Sequence, residues 1–379
     1  MIPISNPDFD RWLSDFRPRA RAAGITDAAL QSGLRGAGFI PGVVERDRNQ
    51  TEFTRSLEDY LAIAVSDERL EMGRARMASH GPILDRIAAR YGVEPHVIAA
   101  IWGLESFFGT RRGDIPVISA TATLAFDGRR GRFFENQLIA ALRIIQNGDT
   151  AAANMTGSWA GAMGHTQFIP TTYEAYAVDF TGNGRRDIWS EDPSDALASA
   201  ANYLARMGWR RGQPWGLEVR VPAGFDTSLA GRGSSRPVSD WTARGVRRVD
   251  GSPLPDHGAA SVILPAGAQG PAFLTFANFT VITRYNNSEN YVIGIGHLGD
   301  RLRGGPPIRA PFPPDRYGFT IADRRELQRR LSAAGFDTGG VDGIFGRNTE
   351  AAIRDWQASR GLPVTGEPSR QMLDQLTRS

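Results

Sequence analysis

The stretch EPHVIAAIWGLESFFG, Glu94 to Gly109, constrains the fold more than any other. Pro95 near its start and Gly109 at its end predict a helix. That helix is apolar nearly all round, so it offers no face to water and must be enclosed by other elements. The flanking sequence supplies them. Residues 8–90 read as helical, with FTRSLEDYLAIAV and PILDRIAARYG carrying apolar residues at three- and four-residue spacing. Further helices are expected at 133–147, at 193–208 (capped by Asp192 or Ser194) and over NYVIGIGHLGDRL. The implied class is mainly α.

From Trp215 to Tyr291 the texture changes. GLEVRVPAG, ASVILPAG and TFANFTVITRY read as short β-rich runs between Gly and Pro, a small sheet subdomain at about 215–291. The Pro-rich stretch RGGPPIRAPFPPDR at 303–316 marks a linker. The chain is therefore divided into a main domain over 1–303, a linker over 304–318 and a compact helical unit over 319–379.

Composition narrows the function. No cysteine is present, which excludes disulfides, thiolate metal sites and a cysteine nucleophile. No lysine is present either, so all 44 basic residues are arginine, yet the net charge is only +3. Arg324, Arg325, Arg329 and Arg330 alternate with apolar residues at helical spacing and read as a solvated helix face, not a nucleic-acid arm. No apolar run approaches the roughly 20 residues that span a bilayer. Residues 1–20 are polar and charged, without a visible signal peptide, so the start reads as a mature or trimmed end, with cytosolic residence as the plain alternative.

Glu105 is the one carboxylate among Ile101, Trp102, Leu104, Phe107 and Phe108. Burial raises a carboxyl pKa, and a carboxylic acid kept protonated near neutrality can act as a general acid. The bland reading is a glutamate paired with arginine or with buried amides. A second stretch, GSWAGAMGHTQFIPTTYEAYAVDF from Gly157 to Phe180, combines small residues that permit close backbone approach with Ser158, Gln167, Thr171 and Tyr173, whose polar groups suit hydroxyls and acetamido groups.

Together GLESFFG, TATLAFDGRRGRFF, the 157–189 stretch and ANYLARMGW resemble the lytic murein transglycosylases of the B type, glycoside hydrolase family 103, over roughly residues 8–303. The resemblance implies a lysozyme-like helical catalytic domain with a small β subdomain. It also implies non-hydrolytic cleavage of peptidoglycan between N-acetylmuramic acid and N-acetylglucosamine, leaving 1,6-anhydro ends. It places the catalytic acid, later base, at Glu105, and sugar-binding roles at Ser158 and Gln167. Tyr60 and Tyr203 match aromatic positions facing the cleft. Arg129 and Arg130 match a pair that meets stem-peptide carboxylates. Tyr285 and Asn286 match an element closing the cleft.

DFTGNGRRD, Asp179 to Asp187, reads like the start of an EF-hand loop, with Gly184 at position six but Ser190 in place of the glutamate at position twelve. By the resemblance Asp179, Thr181, Asn183, the Arg185 carbonyl and Asp195 would hold a structural calcium, with no cofactor needed for catalysis. The alternative is an Asn-Gly turn that keeps its shape without metal.

The C-terminal unit carries Leu327, Leu331, Asp342-Gly343, Phe345-Gly346, Thr349, Ala352, Trp356-Gln357 and Gly361-Leu362. These resemble the peptidoglycan-binding domain 1 module, a three-helix bundle. The expectation is thus a monomeric periplasmic enzyme acting on glycan strands and stem peptides, with no nucleic-acid partner and no membrane span. A hydrolytic muramidase and a non-catalytic wall-binding scaffold are the alternatives.

Overall fold

A computed structural model describes residues 1–49 and 55–378; the part of the expected helical region at 50–54 lies outside them. The N-terminal part is a succession of helices: α1 (Pro7–Ala22), α2 (Asp27–Gly33), α3 (Pro41–Arg48), α4 (Leu57–Ala64), α5 (Asp67–Ser79) and α6 (Gly81–Tyr91). Side-chain caps set several starts: Asn6, Thr26, Ser56 and Ser66 each accept a backbone N–H from the first turn.

The apolar stretch forms α7 (Pro95–Ser106), enclosed by α5, α6, α11 (Ser194–Arg206) and α14 (Glu289–Leu302). Ile98 through Ile101 are fully buried, as the all-round apolar pattern requires. Around this centre stand α8 (Val117–Asp127), α9 (Gly131–Gln146) and α10 (Pro170–Tyr176). A two-residue antiparallel ribbon pairs β1 (Ile115–Pro116) with β2 (Thr156–Gly157), tying the segment after α7 to the glycine-rich loop. Helix α14 approaches α4 closely because Gly294 carries no Cβ: one there would stand 2.7 Å from the Tyr60 ring.

The sheet subdomain holds four antiparallel strands, β3 (Gly216–Arg220), β4 (Arg247–Arg248), β5 (Ser261–Ile263) and β6 (Ala272–Thr275), in the order β4-β3-β6-β5, with α12 (Val238–Ala243) against them. Its own core centres on Val219, Trp241, Val262 and Leu274. One expectation fails here. TFANFTVITRY is not a strand: only Thr275 belongs to β6, and Ala277–Ile282 is helix α13. Its β-branched residues favour a strand locally, but Asn278 is fully buried and its amide bonds the Arg210 and Gln213 carbonyls, so tertiary partners decide the conformation.

The C-terminal unit is a bundle of α15 (Ile321–Ala333), α16 (Arg347–Ser359) and α17 (Arg370–Arg378) around Leu327, Leu331, Ile353 and Trp356. Thr320 and Asp323 form a capping box at the start of α15. The supposed solvated arginine face needs correction at one residue. Arg324 is buried, and its guanidinium bonds Glu58 and Asp59 of α4 at 2.6 and 2.5 Å. Helical spacing located the face but not what covers it. The preceding stretch is pinned as well, because Glu218 of β3 accepts the backbone N–H groups of Arg309 and Ala310. Among the described residues no helix is long and apolar enough to cross a membrane.

Candidate active site

Glu105 lies in the last turn of α7 and is only half-buried. Its carboxylate forms part of the wall of a cavity of about 240 Å³ that also exposes Gln167, Phe168, Tyr203, Arg284, Tyr285 and Asn286. No second carboxylate lines this cavity among the described residues.

The helix ends sooner than Gly109 promised. It stops at Ser106, and Phe107 and Phe108 follow at φ 50° and 56°. Left-handed backbone at two successive bulky residues is strained and persists only where the surroundings over-determine it. Here they do: the Ser106 hydroxyl donates to the His165 carbonyl at 2.6 Å and accepts the Gly109 N–H at 2.9 Å. The Trp102 indole donates to His165 Nδ1 at 3.1 Å. Since an indole N–H can only donate, Nδ1 is the acceptor in this bond, while Nε2 faces both the Ser190 carbonyl at 2.7 Å and Arg112 Nη1 at 3.1 Å. Burial, the largest influence, lowers the imidazole pKa.

Tyr291, from α14, is a partner of the carboxylate: its hydroxyl donates to Glu105 Oε1 at 2.5 Å. Burial first, then the charge of Glu105, pushes the phenol well above its ordinary pKa, so it remains a donor. Its ring stacks on Tyr285, which packs edge-on against Tyr203. The hydroxyls of those two tyrosines are committed to backbone: Tyr285 to the Thr166 carbonyl and Tyr203 to the Arg284 carbonyl, both at 2.6 Å. They contribute ring surface in a fixed orientation.

Gln167 is, among the described residues, the third non-glycine in left-handed backbone, at φ 53°. Its amide nitrogen donates to the Arg112 and Gly164 carbonyls at 3.0 and 2.9 Å, which holds the amide plane at the cavity. Ser158 closes the glycine-rich loop, its hydroxyl oxygen accepting the Ala160 and Ala162 N–H groups. Asn286 caps a turn by accepting the Ser288 N–H.

The structure thus brings Glu105, Gln167, Tyr203, Tyr285 and Asn286 around one cavity, while Ser158, Tyr60, Arg129 and Arg130 are not among its lining residues. Tyr60 packs against α14 beside Gly294. Arg129 and Arg130 both bond Asp47, which is 2% exposed, at 2.5 and 2.6 Å. These bonds, the one from Arg129 foremost, hold the Asp47 carboxyl below its ordinary pKa. The sequence reading missed Asp47 and Tyr291. Tyr291 ends the motif TRYNNSENY and is the second residue of the predicted helix, which was a usable signal.

The acidic loop closes on itself. Asp179 accepts the N–H groups of Gly182, Asn183 and Gly184, and Asp195 accepts those of Phe180, Thr181 and Asp187. Gly184 has the positive φ, 84°, that a tight turn at position six requires. No cluster of three or more His, Cys, Asp or Glu able to hold a metal occurs among the described residues. Of the expected ligands Asp179 and Asp195 carry charge, with neutral Thr181, Asn183 and the Arg185 carbonyl completing the oxygen set, while the Asp187 carboxylate accepts the Trp189 and Ser190 N–H groups; this fits a weak calcium site at most.

Comparison with known proteins supplies the frame. Residues 8–300 match the transglycosylase SLT domain and residues 320–376 a putative peptidoglycan binding domain. Membrane-bound lytic murein transglycosylase B of Escherichia coli is 33% identical over 245 residues, a match that covers 63% of this chain and 65% of that protein's length. Among solved structures, SltB3 from Pseudomonas aeruginosa in complex with NAG-NAM-pentapeptide is 49% identical with a TM-score of 0.80, covering 98% of this chain and 100% of that one. Slt35 of Escherichia coli in complex with calcium is 29% identical with a TM-score of 0.67, over 79% of this chain and 93% of that one. By its match along most of its length, the chain belongs to the transglycosylase SLT domain family.

Proposed function

We propose that this protein is a peptidoglycan lytic transglycosylase that cleaves the MurNAc-β-1,4-GlcNAc bond with Glu105 as its single acid and base. The observation that carries this reading is a carboxylate in a small aromatic cavity with no second one beside it among the described residues. Hydrolytic glycosidases generally use two carboxyl groups, one of them to activate water or to attack. A single group suffices when the sugar supplies its own nucleophile. Glu105 protonates the glycosidic oxygen as the C1–O4 bond breaks. The resulting carboxylate takes the proton of the muramyl C6 hydroxyl as that oxygen bonds to C1. Atoms balance without water.

The surrounding residues have distinct tasks. The Tyr291 hydroxyl orients Glu105, and the rings of Tyr203 and Tyr285 form walls for a sugar face. The Gln167 amide, its nitrogen already committed, presents its oxygen to a ligand donor. Ser158 and Asn286 shape the loops that border the cleft. Tyr60 extends it along α4, and Arg129 and Arg130 meet stem-peptide carboxylates from their platform on Asp47. The site of action is extracytoplasmic, in the periplasm, with the C-terminal bundle holding the enzyme to the wall as a monomer. Mass spectrometry of purified sacculi after digestion tests the reaction: anhydro-muramyl ends are expected, and reducing ends would transfer the assignment to a hydrolytic muramidase.

Tyr291→Phe isolates the orienting hydrogen bond. A bond to a charged group contributes about 1.5–3 kcal/mol, so kcat falls about 10- to 100-fold. KM stays within about twofold because the phenol does not contact sugar. A change confined to KM would assign Tyr291 to substrate binding.

The acidic loop acts as a calcium site through Asp179, Thr181, Asn183, the Arg185 carbonyl and Asp195, in a structural capacity. Its hydrogen bonds close it without an ion, so chelator leaves fold and activity intact. With affinity in the millimolar range of neutral-rich sites, 10 mM calcium raises the melting temperature by about 2 °C. An unchanged melting temperature at that concentration would discard the site.

A further inference from the structure

A cavity of about 720 Å³ is separate from Glu105. It lies where the C-terminal bundle meets the start of α4, and both units line it: Arg55 and Asp59 from one side, Arg316, Phe345 and Arg354 from the other, with Arg324 between them. Arg324 is the built element. Its side chain is 4% exposed, two of its nitrogens are held by Glu58 and Asp59, and its Nε has no hydrogen-bond acceptor, the nearest carboxylate oxygen (on Asp315) being 3.9 Å away. A buried guanidinium N–H without an acceptor at a cavity wall is a donor that a ligand can satisfy.

The rest of the lining carries charge of both signs. Arg55 and Arg316 are exposed and make no ion pair among the described residues, while the Asn290 amide fixes the backbone of Arg55 by donating to its carbonyl. The Arg316 guanidinium rests on Tyr317, whose hydroxyl reaches Glu367. Arg354 faces Glu350 at 3.5 Å. A neutral sugar chain entering here would desolvate these groups without compensation. A peptide bearing several carboxylates and an amine matches them, with arginine's fork suited to the carboxylates.

We propose that this cavity is a composite site for a zwitterionic, carboxylate-rich peptide, completed only when the bundle is docked on α4 through Arg324. It rests on the wall-degrading reading above and adds that the bundle and the catalytic domain share the ligand, the stem peptide of the wall. Arg55 and Arg316 hold its carboxylates and Glu367 faces its amine.

The test uses the full chain and the synthetic tetrapeptide L-Ala-γ-D-Glu-meso-diaminopimelyl-D-Ala, with its fully amidated counterpart, by calorimetry. Arg55→Gln/Arg316→Gln leaves exposed surface and therefore the fold unperturbed. Loss of two charge-assisted contacts weakens binding at least about tenfold, and amidation of the peptide weakens wild-type binding to a similar extent. Equal affinity of wild type and double variant, equal affinity for both peptides, or no wild-type binding at millimolar peptide would each overturn the site. Product analysis on sacculi runs in parallel. Anhydro ends from the wild type beside a failed peptide result would sink the composite site alone, whereas their absence would sink the catalytic reading itself.

Discussion

Glu105→Gln removes sacculus-degrading activity by about 10³-fold or more while leaving the melting temperature within about 2 °C of wild type. Gln keeps the shape and an oxygen able to accept the Tyr291 hydroxyl, so the wall of the cavity survives the change. It cannot lend a proton to a leaving oxygen or take one from a hydroxyl. Among the described residues no other carboxylate lines the cavity to substitute. Loss of activity with retained stability therefore isolates proton transfer. If the variant kept most of its turnover, Glu105 would be a structural charge held by Tyr291, and the acid would have to be sought elsewhere. The residual rate is informative too, since it measures what positioning by Gln167 and the tyrosines provides without proton transfer.

Much of the fold was legible because helices announce themselves locally. An all-round apolar stretch had to be central, and α7 is. Its end was misread for a non-local reason. Gly109 does adopt left-handed backbone, but Ser106 stops the helix earlier by bonding a carbonyl 59 residues away. No periodicity encodes that. Arg324 shows the same limit from the surface: its spacing resembled that of Arg325 and Arg329, yet Arg324 is buried against α4. TFANFTVITRY misled through composition, because β-branched residues were forced into α13 by the buried Asn278. At the candidate site, motif order was enough to collect Glu105, Gln167, Tyr203 and Tyr285 at one cavity. The partners that orient such groups were invisible because they come from distant elements. Tyr291 reaches Glu105 across 186 residues, and Asp47 reaches Arg129 across 82.

Gly109→Ala is the most damaging single methyl group predicted for the site. At φ 85° an alanine is strained wherever it stands. Here there is also no room, because a Cβ would lie 2.4 Å from His165 Nδ1. The ring cannot yield freely, since Trp102 donates to that nitrogen and the Ser190 carbonyl holds the opposite one. Backbone strain of about 1 kcal/mol and overpacking of about 1–3 kcal/mol combine to a destabilisation of about 2–4 kcal/mol, read as a fall of about 3–5 °C in melting temperature. Activity measured well below the new midpoint also falls, by about tenfold or more. The shifted His165 loosens its carbonyl from Ser106, and the adjacent Glu105 loses its register with Tyr291. The control is Gly92→Ala. Gly92 has a similar φ, 70°, but nothing within 4 Å of its Cβ position, so that variant pays only the backbone strain and keeps full activity. Equal losses in the two variants would show that the turn, and not the His165 contact, sets the position of the Glu105 carboxylate.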